Sequence, residues 1–418
     1  MNEDVTGIRL MIRALRYRNY RLFFGGQGIS LIGTWMQQVA MSWLVYRLTN
    51  SAFLLGIVGF TSQIPTFALA PLAGVLVDRW NRHRILIVTQ TLAMIQAFVL
   101  AILIMLGIVT VRHIIILSLF LGLVNAFDAP SRQAFVFEMV EKKEDLGNAI
   151  ALNSLMFNAA RLIGPFIAGV LIATVGEGAC FFINGLSYIA VIAALIAMKI
   201  DRRITFHEAE VLKGLKEGFD YVFGFTPIRS ILLLLGLVSL MGVPYVVLMP
   251  VFAKDVFHGG ARTLGFLTSS MGLGALIGAI YLASRRSIVG FEKNIVLASS
   301  LFGASLVFFS RSNTLWLSLL FLLLAGFGMI VHMASSNTVL QFIIEDDKRG
   351  RVMSFYTMAF MGMIPFGSLM AGSLASSIGA PNTLLIGGLI CILGSLMFAT
   401  KLPYLERIAH PVHSKTQK

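Results

Sequence analysis

The chain has 418 residues, 57% of them hydrophobic and 13% charged, and a formal net charge of +13. Apolar residues in that proportion, gathered into runs rather than amphipathic periods, exclude a soluble globular domain and imply a polytopic membrane protein. The runs are also too long, and alternate too little, for the strands of a transmembrane barrel.

A spanning helix needs about 20 mostly apolar residues. On that scale twelve spans are expected, at 20–43, 53–77, 85–106, 113–129, 147–175, 180–198, 229–253, 263–283, 293–310, 315–337, 353–376 and 382–400. The polar, arginine-rich start is not a signal peptide, because the apolar segment after it is too long for an h-region and no small-residue cleavage site follows. With both termini placed in the cytoplasm, every lysine and arginine falls on the inner side except Arg47, Arg112, Lys254, Arg262, Arg311 and the intraspan Arg161. Positive-inside bias in a bacterial inner or plasma membrane therefore accounts for the basic pI, and no nucleic-acid partner is needed.

Span one carries Gln27, Ser30, Thr34, Gln37, Gln38 and Met41 at spacings of three and four. Lipid cannot satisfy such a stripe, so it either bridges to other helices, at about 0.6 kcal/mol per contact, or lines a substrate cavity. Between spans two and three lies the charged loop Gly74-Val75-Leu76-Val77-Asp78-Arg79-Trp80-Asn81-Arg82-His83-Arg84. Its shortness makes the two spans antiparallel neighbours, and its basic side chains hold it at the cytoplasmic face.

These residues resemble the signature of the major facilitator superfamily, Gly-x-Leu-Ala-Asp-Arg-x-Gly-Arg-Arg/Lys. Val77 stands for the alanine, and Asn81 for the second glycine, a residue that still permits a left-handed turn. The resemblance implies an all-α protein of twelve transmembrane helices, in two pseudo-symmetric six-helix bundles that rock about a midplane site. It also implies a conformational latch of Gly74, Asp78, Arg79, Arg82 and Asp128. In it Asp78 caps helix eleven near Ser354, and Arg82 pairs with Asp128 at the inner end of helix four. A carboxylate at a helix N-terminus gains about 0.3–1 kcal/mol, enough to bias an equilibrium only a few kcal/mol deep towards the outward-facing state. On residues alone, the same side chains need only anchor a loop.

Farther along, Phe127-Asp128-Ala129-Pro130-Ser131-Arg132-Gln133 and Asn148-Ala149-Ile150-Ala151-Leu152-Asn153-Ser154 are similar to the branch of enterobactin exporters and macrolide efflux proteins, the transmembrane secretion effector type. That likeness runs over nearly the whole chain. In span five, Gly164, Pro165 and Gly169 resemble the antiporter signature Gly-Pro-x-x-Gly-Gly of exporting members, with Ala168 for one glycine. Small residues there also serve close packing without any directional meaning. Arg161 precedes them, and an arginine at that depth costs about 2.5–3.5 kcal/mol unless it meets a partner or a wet cavity. It is either an ion-pair member or a cavity residue that favours anionic or carbonyl-rich substrates. Asn125, Asn153 and Asn158 extend the candidate lining.

The longest polar stretch between spans divides the chain into an N-terminal bundle, 1–198, a cytoplasmic linker, 199–228, and a C-terminal bundle, 229–418. Val211, Leu215, Phe219 and Val222 recur in the linker at helical spacing and predict an amphipathic surface helix. The halves show faint ordered matches: Gly33 with Gly242, Gly56 with Gly265, and Ala168-Gly169-Val170-Leu171 with Ala371-Gly372-Ser373-Leu374. The second half keeps basic charge at Ser284-Arg285-Arg286 but has no counterpart of Asp78. Spans ten and eleven add His332, Asn337 and Tyr356 to the candidate lining, beside a group of methionines suited to varied apolar substrates.

No phosphate-binding Gly-x-x-x-x-Gly-Lys-Ser/Thr and no hydrolytic constellation occurs, so neither ATP use nor enzymatic chemistry is expected. Cys180 and Cys391 sit singly in spans six and twelve, and no metal or other cofactor is expected. The function expected is proton-coupled efflux of amphipathic small molecules, of drug, macrolide or siderophore class, by a monomer in the lipid bilayer. Asp128 and His332 are its coupling candidates. The alternatives are a lysophospholipid flippase of the same fold and a non-transporting membrane sensor or scaffold.

Overall fold

The computed structural model describes residues 12–199, 219–285, 290–345 and 348–403, apart from the side chains of Pro71, Val75, Asp78 and Lys143. Helix is the regular structure throughout. After a 3-10 turn at Arg13–Arg16 come α1 (Arg18–Thr49), α2 (Ala52–Arg79), α3 (Arg82–Met105), α4 (Val111–Met139), α5 (Leu146–Thr174) and α6 (Glu177–Ala197). The second half has α7 (Thr226–Met241), α8 (Tyr245–Val251), α9 (Ala261–Ser284), α10 (Phe291–Arg311) and α11 (Leu315–Ile343). It ends with α12 (Arg349–Phe360), α13 (Met363–Ile378) and α14 (Ala380–Ala399).

Among the described residues these fourteen helices make twelve spans, because two spans are broken. The seventh changes pitch at Gly242-Val243-Pro244, where proline removes a backbone donor, and passes from α8 into a π-turn at Phe252–Val256. The eleventh breaks at Met361-Gly362, just before Pro365. Eleven of the spans are long and apolar enough to cross a membrane by length and composition. The remaining one, α1, has 32 residues and carries the polar stripe.

Several helices overrun their apolar stretches. α4 continues ten residues past the expected end, through Pro130, to Met139, and α12 begins at Arg349 rather than beside Ser354. Ser354 is therefore inside a helix, its hydroxyl donating to the Gly350 carbonyl at 3.0 Å, where the resemblance had put a helix start. The reason is general: a helix keeps its own backbone hydrogen bonds beyond the hydrocarbon, whereas hydropathy ends with it. Asn81 also differs from expectation. Its backbone is extended, at φ −70° and ψ 108°, and its side chain accepts the Arg84 N–H as the N-cap of α3.

The chain divides into two compact units, one within Met1–Leu44 and Ile64–His207, the other within Val45–Gln63 and Glu208–Lys418. In the first, α3 packs mainly on α6 and α4. Gly33 admits the contact between α1 and α6, since a Cβ there would lie 2.4 Å from Asn184 Oδ1. In the second, α10 packs on α11 and α14, and α9 on α11. Gly242, the residue matched to Gly33, is likewise pressed against the last span, 3.0 Å from Cys391 Sγ by the same measure. Within the second unit Tyr46 donates to the Asp255 carboxylate, Lys254 donates to Asn50, and Gly56 lies against Gly372.

Of the expected linker helix, Val211 and Leu215 lie outside the described residues, while 219–224 is helical with Val222 buried and Phe219 half exposed.

Candidate transport site

The polar stripe of α1 separates into two sets once the helix is packed. Gln27, Ser30 and Gln37 are buried, whereas Thr34 and Gln38 are exposed. Gln37 is the hub of a buried chain: it donates to Gln96 Oε1 of α3 at 3.0 Å and accepts from Asn184 Nδ2 of α6 at 2.6 Å. Ser187 donates to Asn184 Oδ1 at 3.1 Å, and Gln96 Nε2 reaches the Leu117 carbonyl of α4 at 3.4 Å. Such a chain fixes the rotation of four helices, since each unpaired amide in apolar surroundings costs more than its bond returns. Gln37 therefore serves the interior of the bundle, and Thr34 and Gln38 are the residues of the stripe left open.

Arg161 lies on α5, partly buried, with its guanidinium 5.6 Å from the Trp35 ring centroid of α1. Trp35 in turn meets Phe157, one turn before Arg161, edge to face at 5.6 Å. Among the described residues Arg161 has no ion-pair partner, and its Nε is buried without a hydrogen bond, as is Asn158 Oδ1 one turn away. Pro165 cannot donate to the Arg161 carbonyl four residues back. A cation, two aromatic rings and an amide oxygen are thus gathered on one patch of α1 and α5, beside a carbonyl that lacks its usual i+4 donor. The seam under it depends on Gly164, where a Cβ would sit 2.6 Å from Trp35 Cβ and 2.9 Å from the Ile32 carbonyl. Gly169 and Ala168 are buried farther along α5. Asn153 is partly buried, and Asn125 of α4 is exposed.

Asp128 of α4 is 5% exposed. Its Oδ1 accepts from Thr89 Oγ1 at 2.9 Å and Gln90 Nε2 at 2.7 Å, both of α3, and Arg132 Nε lies 3.7 Å from Oδ2. Arg82, expected opposite Asp128, pairs with Glu138 at 2.9 Å. Glu138 stands at the end of the ten-residue overrun of α4, so that the acid meeting Arg82 is carried by helix that hydropathy does not report. Arg79 ends α2 and is exposed, Gly74 has open space where a Cβ would be, and the Asp78 side chain lies outside the described residues.

In the second unit His332 of α11 is fully enclosed, its Nδ1 3.4 Å from the Ile295 carbonyl of α10 and its Nε2 without a hydrogen-bond partner among the described residues. Tyr356 of α12 is buried and donates to the Met333 carbonyl at 3.0 Å. Gln341 donates to Asn337 at 2.5 Å.

Three groups went unread in the sequence. Trp35 and Phe157 stand inside apolar runs with nothing in the sequence to single them out, although the four-residue spacing puts Phe157 and Arg161 on one helix face. Thr89 and Gln90, and Gln96 with Asn184, were detectable as polar residues inside apolar runs. Asp145 sits in the 3-10 turn Lys143–Asp145 and ties down the segment Arg13–Tyr17 before α1. Tyr17 donates to it at 2.6 Å, Arg16 at 2.5 Å, and Arg13 lies at 3.0 Å.

The model of one family, described as transmembrane secretion effector, matches residues 12–417. The chain belongs to that family. Its members and relatives are transporters of the major facilitator superfamily, and this protein is accordingly a multi-pass membrane transporter. It is 27% identical to the staphyloferrin A transporter of Staphylococcus aureus, covering 90% of this chain and 95% of that one. It is 25% identical to the multidrug efflux pump Tap of Mycolicibacterium fortuitum, over 92% and 93% of the two chains. Macrolide efflux protein A of Streptococcus pyogenes is 23% identical, over 90% and 96%. Among solved structures, a mutant of the nucleoside transporter NupG aligns with a TM-score of 0.69 at 13% identity, over 93% and 99% of the chains. A bacterial homologue of the lysosomal transporter Spinster aligns at 0.64 and 13%, over 95% and 98%. At those identities the two structures establish the major facilitator fold.

Proposed function

We propose that this secretion effector exports an amphipathic small molecule bearing a carboxylate or other oxygen-rich anionic group, by alternating access and in exchange for protons. The observation that carries this is the guanidinium of Arg161, which lies over the Trp35 ring in a membrane-spanning helix and has no ion-pair partner among the described residues. A cation inside a span is retained where it meets a protein partner, water or a ligand; with no acidic partner for Arg161 among the described residues, water and ligand are favoured, and an arginine offers carboxylates a planar, bidentate fork. The aromatic faces of Trp35 and Phe157 supply the apolar half of the recognition. Siderophore, drug and macrolide carriers among the relatives support a small-molecule substrate; the anionic preference rests on Arg161 alone.

In this scheme Thr34, Gln38, Asn125 and Asn153 line the path, the segments 1–198 and 229–418 are the moving halves, and the protein acts as a monomer without ATP. Both termini and the Arg79–Arg84 loop face the cytoplasm of a bacterial cell, as the placement of basic residues supports. Asp128 is the group that exchanges protons.

The test is transport in an efflux-deficient host, comparing catecholate siderophores, macrolides and cationic dyes. Export of the anionic or oxygen-rich compounds is expected, reduced at least tenfold by Arg161→Leu and partly kept by Arg161→Lys, with membrane insertion unimpaired. Loss of stable expression in Arg161→Leu would make the arginine structural and remove the basis of the substrate assignment.

A further inference from the structure

Beside the loop between α2 and α3 lies a cavity of about 690 Å³, walled by Val88 and Leu92 of α3 and by Phe120 and Leu123 of α4. Its mouth carries Arg79, Trp80 and Arg84. Val88 is 56% and Leu123 42% exposed, so the apolar groove is open along its length and would face hydrocarbon in a bilayer. The basic residues of this loop are not alike. Arg82 is engaged by Glu138, and the His83 ring by the Leu195 carbonyl at 2.8 Å. Arg79 and Arg84 have no ion-pair partner among the described residues, and both are exposed.

We propose that this groove is a binding site for one anionic diacyl phospholipid, its phosphate held between Arg79 and Arg84 and an acyl chain laid along α3 and α4. The apolar wall runs from Ile85 to Leu92, about 10 Å of helix, which takes the upper part of an acyl chain. Trp80 is placed where an indole prefers to sit, at the boundary between headgroups and hydrocarbon. Guanidinium groups bind phosphate by paired hydrogen bonds, and a free phosphate would leave the apolar wall uncovered. A zwitterionic lipid would fill the wall but return less to the two arginines. The charge at the mouth and the apolar floor together select the anionic lipid. The site lies wholly in the first unit and does not include Arg161, so it stands whether or not the transport reading above holds.

The test uses the purified full chain in detergent, presented with equal amounts of phosphatidylglycerol and phosphatidylcholine of matched acyl chains, with retained lipid read by native mass spectrometry. The expected result is preferential retention of phosphatidylglycerol by roughly tenfold or more. The double variant Arg79→Gln with Arg84→Gln should lose the preference. Val88→Trp, which fills the groove and leaves both arginines, should lose the retained lipid itself while unfolding at an unchanged temperature. Preference that survives the double variant would overturn the site, as would retention unaffected by Val88→Trp, which marks diffuse attraction to a basic surface. Displacement of the lipid by millimolar inorganic phosphate alone would also overturn it, because the acyl groove would then contribute nothing.

Discussion

Asp145 shows how much one buried carboxylate holds in place. The Tyr17 hydroxyl bond first, then the Arg16 and Arg13 guanidinium groups, keep its carboxyl below the usual carboxylate range. A depressed folded value means the stabilisation is complete above the unfolded value, about pH 4, and fades as pH falls through the folded one. Asp145→Asn is therefore expected to lower the unfolding temperature at pH 7 and to converge with the wild type in acid, as thermal unfolding in detergent across that range would show. Nearby, Ala14 N–H is bound by Asn148 Oδ1 at 2.9 Å and Tyr20 by the Ala149 carbonyl at 2.8 Å, so the variant should loosen the start of α1 and not the membrane core. The two coupling candidates also part company at this scale. Asp128 is held by the Thr89 hydroxyl and the Gln90 amide, with Arg132 beside it, while His332 is sealed between α10 and α11. Substrate-induced proton release from purified protein should vanish in Asp128→Asn and persist in His332→Gln. Unchanged release in both would exclude proton exchange through either.

Helix seams set a different kind of constraint. Two glycines of the signature motifs have opposite surroundings: Gly164 lies where a Cβ would strike Trp35 and the α1 backbone, and Gly74 where it would meet nothing within 4 Å. Gly164→Leu should thus cost about 1–3 kcal/mol through overpacking and push Trp35 away from Arg161, damaging stability and transport together. Gly74→Ala should be neutral to slightly stabilising, since alanine is the better helix former by roughly 0.5–1 kcal/mol. Parallel measurements of unfolding temperature and export decide it; equal damage from both would mean that Gly74 has a conformational role in another state.

For the molecule as a whole, the functional reading requires two states of similar free energy, and the loop before α3 is where the balance is expected to be set. Asp78→Asn should leave the protein inserted and folded but reduce export strongly. Accessibility of engineered cysteines from the outer side should fall with it. Full export by this variant would remove the latch from the account. With Arg82 paired to Glu138, Glu138→Gln is expected to weaken export in the same direction, to a smaller extent because both side chains remain partly solvated.

Twelve spans, their boundaries to within a helical overrun, and the family were all legible in the chain, because burial in hydrocarbon is a local property that a run of about 20 apolar residues declares by itself. Arg161 was legible for the same reason: a charge inside such a run is conspicuous wherever the helix turns. Partnerships were not. Each residue advances about 100° around a helix, so whether Gln37 faces Gln96 and Asn184, or an open path, depends on how α1 is rotated against α3 and α6. That rotation is set by contacts such as Gly33 against Asn184 and Gly164 against Trp35, which join residues more than a hundred positions apart. The exchange of Asp128 for Glu138 as the acid opposite Arg82 has the same origin, since only the folded α4 shows that its last three turns continue past Pro130 and present a second carboxylate.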